Sequence, residues 1–93
     1  MEIGTETTLL RRSDLTCRVV DDEALLHDAN RDATHRLNCT AYLIWEQCDG
    51  TRTCDAIAQG MAKAWQTTHE KARSDVLGVI REMAKHKLVE VLR

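Results

Sequence analysis

The chain has 93 residues, 30 % charged and 43 % hydrophobic, with a formal net charge of -2. A single domain of that size buries only about 60 to 65 % of the surface its unfolded form exposes, which leaves a modest core and little room for a deep active-site cleft. The composition is too apolar for a disordered chain, and its acidic balance offers no electrostatic footprint for nucleic acid or for a negatively charged membrane.

The start, MEIGTETTLLRRSD, carries acids where a signal peptide has a basic and then an apolar segment. No run approaches the roughly 18 to 20 apolar residues of a transmembrane helix, so a cytoplasmic location is expected. Residues 1–13 are polar and aperiodic and read as a flexible N-terminal arm, with 14–93 as the folded domain.

From Leu15 the run LTCRVV alternates Leu15, Cys17 and Val19 against Thr16, Arg18 and Val20, the period of a half-buried strand. Asp21, Asp22 and Glu23 mark a turn, ALLHD (24–28) a second strand, and Ala29 to Asp32 a polar loop in which Asn30 tolerates a left-handed conformation. ATHRL (33–37) alternates again, with Ala33, His35 and Leu37 on one face. Three short strands on short turns predict an antiparallel meander.

Asn38 then stands where a helix cap belongs, since its side-chain oxygen can accept from an unsatisfied first-turn N–H. Ala41, Ile44, Trp45 and Cys48 make one apolar stripe, and Asp49-Gly50 reads as the helix stop. Thr53 caps a second helix with Asp55 in its first turn and the stripe Cys54, Ile57, Ala58, Met61, Ala62 and Trp65. A third helix is predicted from Thr67, paired with Glu70 in a capping box, to about Lys85, with Ala72, Val76, Val79, Ile80 and Met83 apolar. LVEVL (88–92) is left open between a short strand and an apolar tail. The expected fold is α+β: a three-stranded antiparallel β-meander followed by three α-helices, winged-helix-like, with the third strand at an open sheet edge.

The string LNCTAYLIWEQCDGTRTCDAIAQGM resembles the PqqD family, in its Leu-Asn, its apolar helix, its Asp-Gly-x-x-Thr and its following x-x-Ile-Ala. Leu37, Asn38, Thr40, Ala41, Ile44, Cys48, Asp49, Gly50, Thr53, Ile57 and Ala58 sit on that pattern, and DVLGVIREMAKHKLV resembles the family's last helix. Two departures are visible. The loop before the third strand has Asn30-Arg31-Asp32 in place of a Pro-Glu-Gly-like turn, and Lys87 replaces a Gly after the last helix.

The resemblance implies a non-enzymatic adaptor without a cofactor, which binds the leader of a ribosomally synthesised precursor peptide and presents it to a modifying enzyme, often a radical SAM enzyme. It implies strand addition to the third strand, so that Ala33, Thr34, His35, Arg36 and Leu37 pair with the leader. Val76, Val79, Ile80 and Met83 would wall a groove, and Arg36 and Lys87 would meet leader acids. Val76 and Ile80 read equally well as plain core, and Arg36 as a solvated charge.

Four rival readings follow from the residues themselves. Zinc is not expected, because His27, His35, Cys39, Cys48 and Cys54 are too dispersed; Cys48 lies about 13 Å beyond Cys39 on a regular helix. The four cysteines include no CxxC and read as thiols, and a Cys nucleophile beside His35 lacks an orienting acid. A winged-helix DNA-binding regulator would read DNA with Arg73, Arg81 and Lys85 of the third helix, but Asp75 and Glu82 offset them. Homodimerisation through the third strand or the arm is compatible with the open edge.

Overall fold

A computed structural model describes residues 3–92. In chain order the elements are β1 (Thr8–Arg11), β2 (Thr16–Val20), β3 (Glu23–Asp28), β4 (Ala33–Leu37), α1 (Cys39–Glu46), β5 (Asp49–Thr53), α2 (Cys54–Trp65), α3 (His69–Lys85) and β6 (Val89–Val91). The strands form two antiparallel sheets, ordered β2-β3-β4 and β5-β1-β6. The fold is α+β, and the meander and three helices stand where the periodicity predicts them.

β2 is exposed along its whole length, and so is not the half-buried strand its alternation predicts. α1 packs on β3 and β4, and β2, at the edge, receives no covering layer; only Leu15 before it is buried. In the β3–β4 loop the left-handed residue is Asp32 and not Asn30.

The expected N-terminal arm needs correction, apart from Met1 and Glu2, which lie outside the described residues. Residues 8–11 are β1, the central strand of the second sheet, pairing with β5 on one side and β6 on the other. Leu9 is fully buried. A four-residue strand with one core side chain is too short to show a period, so the sequence around it reads as polar arm. LVEVL resolves as β6, which closes the other side of β1.

Asn38 caps α1 as expected, its side chain accepting from the Ala41 N–H at 2.8 Å. The helix stop is Gln47, not Asp49-Gly50. Those two residues begin β5, where Gly50 takes φ 87. The partners Thr8↔Thr53 and Leu10↔Asp49 leave three β5 residues opposite Leu9, a bulge that requires the positive φ. Asp49 Oδ1 shapes it by accepting from the Thr51 N–H (3.0 Å), the Thr51 hydroxyl (2.8 Å) and the Arg52 N–H (3.2 Å).

Thr53 caps α2 by accepting from the Ala56 N–H. The cap of α3 is Thr68, one residue beyond the expected Thr67. α2 ends with Gln66 left-handed, and the Thr67 N–H is taken by the Ala62 carbonyl at 3.0 Å. Thr67 thus belongs to the close of α2, and Glu70 acts only as a first-turn acid.

The stripes of all three helices converge. Ile44 of α1, Ile57 of α2 and Val76 and Ile80 of α3 are fully buried together with Leu9 and Leu26 from the two sheets. Trp45 donates its indole N–H to the Leu88 carbonyl at 3.1 Å, tying α1 to the end of α3. That end is a Schellman closure, with Leu88 N–H on Met83 O (2.9 Å), Lys87 N–H on Ala84 O (3.0 Å) and Lys87 left-handed at φ 60. The missing family glycine is therefore absorbed by a strained lysine.

Candidate functional site

β4 pairs only with β3 among the described residues, so its other side is an open edge. The register identifies which groups face outward. β2 and β3 close at Val20↔Glu23 around two residues, and β3 and β4 at Asp28↔Ala33 around four. A hairpin's closing pair is hydrogen-bonded, and bonded and non-bonded pairs alternate along an antiparallel ladder.

Glu23, Leu25 and His27 thus bond towards β2, and Ala24, Leu26 and Asp28 towards Leu37, His35 and Ala33. The two hairpins agree on this alternation. The N–H and C=O groups of Thr34 and Arg36 are left pointing outward from β4, ready to pair with a further strand.

α3 stands opposite this edge near its C-terminal end. The His35 and His86 rings lie 5.3 Å apart, bringing β4 beside the close of the helix. Glu82 and Val79 precede His86 by four and seven residues, so the three share one side of α3. Val79 is half-buried, while Glu82 and His86 are exposed and joined, Glu82 Oε1 to His86 Nε2, at 3.1 Å. α3 packs chiefly on α2 and makes little direct contact with β4, so the β4 edge and this side of α3 stand as the two walls of a candidate peptide groove.

The residues singled out from the sequence separate into two groups. On β4, Thr34 and Arg36 are exposed, Ala33 and His35 half-buried, and Leu37 buried. On α3, Val76 and Ile80 are 0 % exposed and Met83 2 % exposed, so they are core and present no free surface; Val79 alone has some. Lys87 is exposed beside the groove's end. The sequence reading missed His86 and Glu82. The signal was present, since both continue the Val79 row at helical spacing, but polar residues do not mark a wall until the element opposite is known.

Charge around the groove is largely internally paired. Arg36 Nε lies 3.5 Å from Glu23, with both side chains well exposed, a contact that contributes little in solvent. At the Ala33 end a cleft of about 810 Å³ is lined by, among others, Arg12, Asp14, Asn30, Arg31 and Lys87. Asp28 is buried beneath it. Burial pushes the Asp28 carboxyl up, but bonds from Arg31 and the charge of Arg12 outweigh this and hold it below the usual carboxylate range.

The buried thiols behave as core. Desolvation raises Cys48 to about 12 and Cys54 to about 11, keeping both protonated at neutral pH and unsuited to nucleophilic attack. On α3, Arg73 is held by Asp55 at 3.0 Å and Arg81 by the Ile3 carbonyl at 3.1 Å. Two of the three basic residues that the rival DNA-binding reading would need are thus engaged within the protein.

The family model described as Coenzyme PQQ synthesis protein D (PqqD) matches residues 23–89. Among solved structures, the PqqD truncation of Methylobacterium extorquens PqqCD, described as a stand-alone RiPP recognition element, superposes with a TM-score of 0.79. It is 16 % identical, and the match covers 96 % of this chain and 95 % of that one. TbiB1, solved in complex with the TbiA(beta) leader peptide, superposes with a TM-score of 0.75 at 16 % identity, over 87 % of this chain and 94 % of that one. No curated protein matches the sequence significantly.

Proposed function

The chain belongs to the PqqD family, and from that premise we propose that it is a non-catalytic, cytoplasmic adaptor that binds the leader of a ribosomally synthesised precursor peptide. The leader adds as a strand to β4 and is thereby presented to a modifying enzyme, in our reading a radical SAM enzyme. The observation that carries this is the open β4 edge, with the outward backbone groups of Thr34 and Arg36, and the close of α3 beside it at the His35–His86 contact. Such an edge supplies main-chain hydrogen bonds to an extended peptide with little demand on sequence, while the facing wall selects side chains.

In this reading Ala33 to Leu37 pair with the leader and Val79 contacts it. Val76, Ile80 and Met83 support the wall from behind, and Arg36 and Lys87 meet leader acids. No cofactor, nucleic acid or membrane takes part. A homodimer paired through β4 would occupy the same edge, so dimer and leader complex exclude one another.

The test is calorimetry with a peptide selected for binding to the wild-type domain from a random displayed library. Thr34→Pro removes an outward N–H and is expected to weaken binding about tenfold or more while the domain stays folded. His35→Pro removes an N–H bonded to β3 and is expected to destabilise the sheet instead. Val79→Asp places a charge on the wall and weakens binding similarly. Affinity unchanged in both Thr34→Pro and Val79→Asp would exclude this site.

A further inference from the structure

The two walls of the groove belong to parts of the chain that hardly touch, β4 ending the meander and α3 packing on α2. α1 packs on both and His35 meets His86 between them, and at the Ala33 end a side chain from the linker between β1 and β2 adds a polar bridge. Arg12 Nη1 donates to the carbonyl of Lys87, just past the end of α3, at 3.0 Å. The same nitrogen donates to Asp28 Oδ2 at 3.2 Å, and Asp28 is the β3 residue that pairs with Ala33 at the start of β4. Nε and Nη2 grip the two oxygens of Asp14.

The cluster is built into the protein. The Arg12 side chain is 13 % exposed and that of Asp28 4 %. Asp28 Oδ1 accepts from the Asn30 N–H at 3.0 Å and the Arg31 N–H at 3.4 Å, fixing the loop that launches β4. Lys87 is held left-handed by the helix closure, so the direction of its carbonyl is set as well.

We propose that Arg12 is a positioning residue for peptide binding. By clamping the end of α3 to the start of the β3–β4 loop, it fixes the gap between the β4 edge and the row Val79, Glu82 and His86. This rests on the strand-addition reading above. A strand added to β4 lies about 4.8 Å from it, so an altered gap mis-seats every side chain the peptide turns towards the helix. The guanidinium suits the task because its donors form a rigid planar fork; an ammonium on a flexible stem keeps the charge but not the spacing.

The probe is a labelled peptide selected on the wild-type domain from a random displayed library. It is first titrated against Thr34→Pro, and retained binding there overturns strand addition and this proposal together. With binding lost in Thr34→Pro, Arg12→Lys is expected to bind about tenfold more weakly at a temperature where circular dichroism shows it fully folded. The nuclear Overhauser contact between the His35 and His86 rings should weaken and the Val79 methyl resonances shift. Asp14→Asn, which loosens the fork without stranding a buried charge, should move the same readouts less and serves if Arg12→Lys does not fold. Wild-type affinity and an unchanged His35–His86 contact in the folded variants, whatever their melting temperature, would reduce Arg12 to a stabilising clasp and overturn the proposal.

Discussion

Left-handed backbone falls on Asp21, Asp32, Gln66 and Lys87 and on one glycine, Gly50, among the described residues. Aspartate tolerates that region in turns through its short polar side chain, whereas lysine has no such compensation. Lys87→Gly should therefore stabilise the domain by about 0.5 to 1 kcal/mol, the relief of the steric cost less the added entropy of the unfolded chain. The converse change, Gly50→Ala, should cost about 1 kcal/mol. Its new Cβ would stand 3.4 Å from Leu92 Cδ1, an ordinary contact, so the loss is one of backbone and not of packing. Urea midpoints of the two variants, shifted in opposite directions, check both.

Among the elements, β1 departs furthest from its expected state. As the central strand of the second sheet it places Leu9 in the core, while its neighbour Leu10 is 38 % exposed. Leu9→Ala should cost about 3 kcal/mol by emptying a buried site, and Leu10→Ala should cost less than about 1 kcal/mol. A flexible arm would give near zero for both, so equilibrium denaturation of the pair separates strand from arm. β4, by contrast, was legible to its ends from ATHRL and from the Asn38 cap that follows. Alternation specifies a strand, and a cap terminates it, wherever both are encoded in adjacent residues. β1 and β6 are three or four residues long and acquire their identity from partners some forty and eighty residues away. No local pattern records that pairing.

For the molecule as a whole, carboxylates decide the response to acid. The Asp49 carboxyl is pulled down to about 2 by the Thr51 N–H, the Thr51 hydroxyl and the Arg52 N–H, and Asp14 is lowered by its bond from Arg12. A carboxyl whose folded pKa lies below its unfolded value, about 3.9 for Asp, stabilises the fold fully above that value. The contribution is lost as pH falls through the folded pKa. Urea midpoints should therefore hold between about pH 7 and 5 and fall between about pH 4 and 2, and Asp49→Asn should flatten that fall. The sequence by itself determined the meander, the helical stripes, the caps at Asn38 and Thr53 and the family resemblance, because these depend on spacing between near neighbours. Only the tertiary structure decided that β1 completes a second sheet, that Val76, Ile80 and Met83 are core, and that Arg12 bridges Asp28 and Lys87. Each of those outcomes depends on which distant segment lies opposite, and that is fixed by packing all the apolar faces together at once.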